Sequence, residues 1–328
     1  MSNLLSIKNL RVRFRTKSPF QAMIKKIEDP FIDAVRKVSL EIKQGETFTL
    51  VGESGSGKST LALATAGLLN AEEGQIKFMN EDVTTMTSSQ IMAYRKKISY
   101  IWQDSIGSLS PRMSVGSLIT EAYKIHNLKD RDLKMEANRL LKLVGLPAQI
   151  SERYPHQLSG GQARRVGVAR AISLDPKLII ADEPTAGLDV SVQGEILNLL
   201  NKLRDDLGVS LFVITHNLNI VRHISDKTAV MYLGRFVEQG QTDDIFANPR
   251  HPYTLALLSA NLTPYPEVSF ENRIELTGEV PSLMDRPNGC EFHTRCPFSS
   301  EHCDNEFPPM HIFDGEQILT CHYPLNQN

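Results

Sequence analysis

The stretch Gly52-Glu53-Ser54-Gly55-Ser56-Gly57-Lys58-Ser59 fits G-x-x-x-x-G-K-[ST], a spacing that lets backbone N–H groups turn inward around an anion. Lys58 is then placed to reach the β- and γ-phosphates of a nucleotide, and the Ser59 hydroxyl to ligate Mg²⁺. A flexible glycine turn could give the same string, but this one follows a hydrophobic strand and opens an apolar helix, the context phosphate binding requires. Lys177-Leu-Ile-Ile-Ala-Asp182-Glu183 is a short apolar run ending in two carboxylates, which an open α/β sheet delivers to its carboxyl edge. Asp182 can hold Mg²⁺ through water, and Glu183 can polarise an attacking water. A lone Asp-Glu pair is usually a solvated acidic turn; a phosphate loop in the same chain favours chemistry. Leu158-Ser159-Gly160-Gly161-Gln162 places a glycine pair at the start of a helical run, with Ser159 as N-cap and room for an anion at the helix N-terminus. Alone, such a string is more often an ordinary helix start. One nucleotide has a single γ-phosphate, so a second phosphate-binding end points to a nucleotide held by another copy.

All four cysteines, Cys290, Cys296, Cys303 and Cys321, fall within residues 290–328 and read C-x5-C-x6-C-x17-C. No pair has the C-x2-C spacing of a zinc knuckle, and a disulfide pair is disfavoured in a reducing cytoplasm. Four thiolates suit an iron–sulfur cluster. Zinc and unligated thiols remain open, and His293, His302 and His322 keep mixed ligation in play.

The elements that must position these residues follow from hydrophobic period. Strands are predicted near Leu4–Phe14, Asp33–Ile42 and Thr47–Val51, the last running through the glycine loop into a helix over Lys58–Leu69. Short buried strands are predicted at Ile98–Trp102, Leu178–Ala181, Leu211–Thr215 and Ala229–Leu233, and helices at Arg131–Val144, Gly160–Ser173 and Ser191–Leu207. Their alternation argues a parallel α/β core. Between Phe14 and Asp33 the cations and prolines of RTKSPFQAMIKKIEDPFI fit an exposed excursion. Beyond Pro249 the pattern changes to HPYTLALL and a proline-rich segment, which puts a domain boundary near Ala260. Residues 275 to 328 carry nine Asp and Glu against two Arg.

Composition bounds the class. With 328 residues, 41% hydrophobic and 23% charged, the chain can build a sizeable core, which excludes disordered and collagen-like classes. The balance of 36 Lys and Arg against 38 Asp and Glu gives no global attraction to nucleic acid, so no nucleic-acid partner is expected. The longest stretches free of charge, Leu207–Val221 and His251–Pro266, are interrupted and too short to cross a bilayer, and the N-terminus reads as a strand rather than a secretory signal. The expected location is cytoplasmic.

Taken in order, these motifs resemble those of ATP-binding-cassette (ABC) ATPases. The resemblance implies a P-loop NTPase fold, α/β with a β-subdomain, a parallel core sheet and a helical subdomain over roughly residues 104–165. MgATP would be bound by Gly52 to Thr60. The signature Ser159 to Gln162 would face the partner's nucleotide. Gln103 matches the glutamine that couples Mg²⁺ to the transporter, so Ser59, Gln103 and Asp182 form the implied Mg²⁺ set. His216 matches the γ-phosphate histidine and would act with Glu183 in catalysis. Phe14 resembles the aromatic that stacks on adenine, although it could equally belong to the core. Ala186-Gly187-Leu188-Asp189 keeps only Leu188 and Asp189 of the family's SALD loop.

WQDSIGSLSPRMSV, RYPHQLSGGQARRVGVARA, HPYT, GEVPS and GCEFHTRCP resemble segments of the oligopeptide and dipeptide importer branch, with Trp102 and Ser105 replacing the usual Phe and Pro. That branch implies an ATPase domain over 1–260 and an extension over 261–328 similar to one holding a [4Fe-4S] cluster. It also implies a second, different ABC ATPase subunit, two membrane permeases, an extracytoplasmic substrate-binding protein, and peripheral attachment to the cytoplasmic face of the membrane. Nickel chelates, glutathione or oligosaccharides are alternative cargoes in the same branch. A soluble cassette ATPase of DNA repair or translation is the rival from another class; it usually carries a long coiled-coil insertion or a second cassette, and neither is visible.

Overall fold

The computed structural model describes residues 3–18, 30–128, 130–260, 276, 278–313 and 316–326. In chain order it begins with β1 (Asn3–Arg15), β2 (Phe31–Lys43), β3 (Thr47–Val51), α1 (Lys58–Thr65), β4 (Glu73–Phe78), β5 (Glu81–Asp82), α2 (Ser88–Lys97) and β6 (Ile98–Ile101). Next come α3 (Val115–Ile125), α4 (Leu133–Leu143), α5 (Gly160–Ala171), β7 (Leu178–Asp182), α6 (Val190–Leu207), β8 (Ser210–Thr215) and α7 (Leu218–Ile224). The described chain closes with β9 (Lys227–Tyr232), β10 (Arg235–Gln241), α8 (Thr242–Ala247), α9 (Pro252–Ala260), α10 (Glu301–Asn305), β11 (Met310–Ile312) and β12 (Ile318–Thr320). It separates into two compact units, one of Met1–Asn3, Ile42–Thr47 and Thr85–Ile214, the other of Leu4–Glu41, Phe48–Thr84 and Thr215–Asn328.

In the first unit β6, β7 and β8 run parallel, with Ile101 opposite Ala181 and Asp182 opposite Ile214. Every residue of β7 and β8 is buried, as expected of parallel strands covered on both faces. The helices start where short polar side chains cap them. Ser114 accepts from Ser117 N–H to open α3, and Asp132 accepts from Lys134 and Met135 N–H to open α4. That cap sets the start of the helix predicted from Arg131. Leu118, Ile119 and Tyr123 of α3 and Leu140 and Leu141 of α4 are buried on the inner stripe.

In the second unit β3 is parallel to β9, with Leu50 opposite Ala229, and β9 pairs antiparallel with β10. The tail then adds two strands: β12 pairs with β10 and β11 with β12. A separate antiparallel sheet has the order β2-β1-β4-β5. Tyr232, Tyr253 and Phe292 meet edge-on or tilted, with ring centroids 4.8 to 5.3 Å apart. They centre a cluster that Cys290 and Cys296 also touch. Truncating a ring this buried costs about 3–5 kcal/mol, so the cysteine segment shares a core with β9.

The predicted Lys58–Leu69 helix is shorter than its apolar run: α1 ends at Thr65, and Leu68 N–H closes back on the Leu63 carbonyl at 2.9 Å. Residues 19–29 of the predicted excursion, and residues 261–275 just past the predicted boundary, lie outside the described residues. Among the described residues no helix is long and apolar enough to cross a membrane.

Candidate functional site

In the second unit the loop leaves β3 at Gly52 and enters α1 at Lys58. Gly52 and Gly57 both have positive φ, 156° and 102°, and a Cβ would run into the Met231 carbonyl at the first and the Ala34 carbonyl at the second. Only glycine satisfies both demands, the left-handed backbone and the close approach. Gly57 caps α1 without a side-chain acceptor, so the first N–H groups of the helix have no capping side chain, the arrangement that suits an anion. Lys58 is 7% exposed, and its ammonium donates to the Gly52 and Glu53 carbonyls at 2.8 Å each, so the charge stays over the loop. Ser56 is buried, whereas Ser54, Gly55 and Ser59 are exposed and Thr60 is half-buried.

Phe14, also in this unit, is 41% exposed and so does not belong to the core; the cations of Arg13 and Arg15 lie over the neighbouring Phe31 ring at 4.8 and 5.3 Å. His216 is exposed, directly after β8.

The first unit holds the carboxylates. Asp182 ends β7, and its Oδ2 accepts the Tyr100 hydroxyl at 2.9 Å. Burial, and then the Asp182 charge, holds the Tyr100 phenol well above its ordinary value, so it remains a donor. Asp182 Oδ1 is buried with no hydrogen-bond partner among the described residues. A buried, unsatisfied carboxylate oxygen beside a fixed one is a fitting ligand for a divalent cation. Glu183 follows in the left-handed region at φ 49°, its N–H bonded to the Ile214 carbonyl at 2.9 Å. A non-glycine residue in that conformation is strained, and strain of this kind gathers at functional sites. Ser159 caps α5: its Oγ accepts from Gln162 N–H and its own N–H reaches Gln162 Oε1, both at 3.2 Å, with Ser159 and Gly160 exposed. A Cβ on Gly161 would press on Val192 Cγ1 at 3.0 Å, which fits the second glycine of the signature.

Two residues not singled out in the sequence organise this unit. Arg164, two positions past Gln162 and 3% exposed, donates to the Trp102 and Gln103 carbonyls at 3.1 and 2.9 Å and to the Ala186 carbonyl at 3.0 Å. It ties the segment carrying Gln103, itself exposed, to the Ala186–Asp189 loop. Burial pulls its guanidinium below the ordinary value, a penalty the three carbonyls offset. Tyr100 is the other. Nothing in the sequence set Arg164 apart from Arg165 and Arg170 in the same helix, and Tyr100 had no signal beyond its place in an apolar strand.

The four thiols interact electrostatically. Cys321 is influenced by the other three and is pushed up to about 12 chiefly by burial, Cys290 is pushed up to about 11, and Cys296 is raised. The N–H groups of Phe292, Phe298 and Tyr323 oppose that shift by bonding to the sulfurs of Cys290, Cys296 and Cys321. Cys303 is drawn in by its carbonyl, which accepts from Cys290 N–H at 2.8 Å. Cys303 and Cys321 are buried and Cys290 and Cys296 half-buried, and amide donors reach three of the four sulfurs, a setting that fits thiolate ligation. Among the described residues no three His, Cys, Asp or Glu converge as ligands of one metal ion. His293 Nδ1 and His322 Nε2 are engaged with the Cys290 and Glu306 carbonyls, both at 2.9 Å.

Residues 35–186 match the family described as ABC transporter, and residues 237–303 match the oligopeptide/dipeptide transporter C-terminal region. The oligopeptide transport ATP-binding protein OppF of Haemophilus influenzae is 40% identical over 97% of this chain and 96% of its own. The protein of the same name from Salmonella typhimurium is 42% identical over 94% and 92%. Among solved structures, the ATP-binding cassette MJ0796 in a post-hydrolysis dimer bound to ADP and Pi is 28% identical with a TM-score of 0.63, covering 73% of this chain and 98% of that one. CbiO1 from Clostridium perfringens, part of the ABC transporter complex cbiONQ, is 27% identical with a TM-score of 0.64, over 75% and 92%. The chain therefore belongs to the ABC transporter family as an ATPase of P-loop NTPase fold, in the branch that carries the oligopeptide/dipeptide transporter C-terminal region.

Proposed function

We propose that this chain hydrolyses MgATP to energise a membrane importer of di- and oligopeptides. The observation that carries the reading is the end of β7, where Asp182 keeps a buried oxygen without a partner among the described residues and Glu183 is held in a strained conformation beside it. Loop residues Gly52 to Thr60 bind the phosphates, with Glu53 and Ser54 as part of the loop and Lys58 turning from its own carbonyls to the β- and γ-phosphates. Ser59, Gln103 and Asp182 hold Mg²⁺, which when bound neutralises phosphate charge. Glu183 orients the attacking water, His216 contacts the γ-phosphate, and Phe14 stacks on adenine. Ser159, Gly160, Gly161 and Gln162 complete the site of a partner ATPase subunit. The likeness to OppF proteins along nearly the full length supports the peptide cargo.

Residues 1–260 form the ATPase domain, with a helical subdomain over about 104–165, and 261–328 the extension, in which Cys290, Cys296, Cys303 and Cys321 hold a [4Fe-4S] cluster that cross-links the tail. The chain works at the cytoplasmic face of the membrane with a second, different ATPase subunit, two permeases and an extracytoplasmic binding protein. In the assembled transporter, Glu183→Gln keeps MgATP binding and loses turnover by about 100-fold or more, while Lys58→Ala weakens binding itself. Parental turnover in Glu183→Gln at saturating MgATP overturns the assignment.

A further inference from the structure

Residues 275–328 contain two arginines among nine carboxylates, and both arginines reach back to the phosphate loop or to the turn behind it. Arg295 is 5% exposed at its side chain and makes a two-pronged bond to Glu53, Nη1 to Oε2 at 2.7 Å and Nη2 to Oε1 at 3.1 Å. The Glu53 N–H donates to the Tyr253 hydroxyl at 3.0 Å, so this one loop residue is held by main chain and side chain together. Arg286 donates to the Leu233 and Asp33 carbonyls and to Glu291 at 3.0 Å. Gly234, next to Leu233, donates its N–H to the Ser56 carbonyl at 2.8 Å.

Nothing in the cradling of phosphates requires a carboxylate at the second position of the loop. An unpaired Glu53 would set a negative charge beside a triphosphate in a partly desolvated place, where repulsion is strong. The fork of Arg295 cancels that charge and fixes the side chain, a geometry that suits guanidinium and not ammonium.

We infer that Arg295, from the C-terminal extension, is a positioning residue for the nucleotide site: it neutralises and orients Glu53, and thereby sets how tightly the loop binds MgATP. This rests on the ATPase reading above. The test titrates MgATP into the full-length chain and its variants, with thermal unfolding in the absence of nucleotide as a check on folding. Arg295→Gln binds about 10-fold more weakly than the parent, whereas Glu53→Gln, which removes the charge that Arg295 answers, loses affinity by no more than about threefold. Adding Glu53→Gln to Arg295→Gln restores affinity to within about threefold of the parent, because the unpaired charge is gone. A role in folding alone does not give that rescue.

Arg295→Gln within twofold of the parent, or a double variant as weak as Arg295→Gln, overturns the inference. Where Arg295→Gln does not fold, Arg295→Lys reads the same contact: it weakens binding about threefold and is likewise rescued by Glu53→Gln, and parental affinity in it overturns the inference. A parent that fails to bind MgATP overturns the ATPase reading itself, which separates the two failures.

Discussion

His251 illustrates how one side chain can make a motif necessary. It is fully buried, and burial holds its imidazole down to about 3, so it stays neutral; its Nδ1 accepts from Tyr253 N–H at 3.0 Å. Its own N–H and that of Arg250 donate to Glu238, a buried carboxylate raised by desolvation. The HPY sequence thus fixes the tyrosine whose hydroxyl receives Glu53 N–H. The sign of the pH effect follows. The unfolded histidine takes a proton below about 6.5 and the folded one does not, so stability is present above 6.5 and is lost as pH falls toward 3, by about 2 kcal/mol at pH 5. Glu238, raised in the folded state, acts in the opposite sense, so the contrast is read against a variant. Thermal unfolding at pH 7 and 5 should show a smaller acid loss in His251→Gln than in the parent; equal losses would assign the acid sensitivity elsewhere. Residue roles tied to local spacing, such as the Ser159 cap, were legible in the sequence. The Arg295–Glu53 pair, 242 positions apart, was not, because no local period reports a contact made by the folding of the tail.

At the scale of elements, strands buried on both faces announced themselves. LIIAD and SLFVIT are short apolar runs with turn residues around them, and β7 and β8 follow them closely. β10 was missed for a physical reason: in RFVEQGQ the alternation of inward and outward side chains is disturbed where the register shifts between Phe236 and Glu238. β11 and β12 are three residues each and depend on β10 as a template rather than on their own pattern. Among the described residues, the cysteine segments between α9 and these strands have little regular structure, five residues of α10 and one short turn of 3-10 helix, and the proposed cluster would brace them. Protein purified without oxygen should be brown and contain iron and acid-labile sulfide, and Cys303→Ser should lose both and lower the unfolding temperature. Colourless protein with one tightly bound zinc would decide for zinc instead.

At the scale of the molecule, one chain carries both a phosphate loop and an exposed helix start capped by Ser159, and the proposed second ATPase subunit rests on that arrangement. In the reconstituted transporter, Ser159→Arg puts bulk where the partner's γ-phosphate should lie. If the two ATPase subunits differ, ATP hydrolysis should be damaged mainly at the site built on the partner's loop; if they are identical, both sites should fail. Undiminished activity would mean that this signature completes no partner site.

The Arg295–Glu53 bridge carries a consequence in the reverse direction, because a coupling free energy acts equally on both of its ends. Whatever Arg295 contributes to nucleotide affinity, bound nucleotide returns to the tail as resistance to local opening. The extension then becomes a gauge of occupancy: its lifetime against proteases rises when the loop is filled and falls when it is empty.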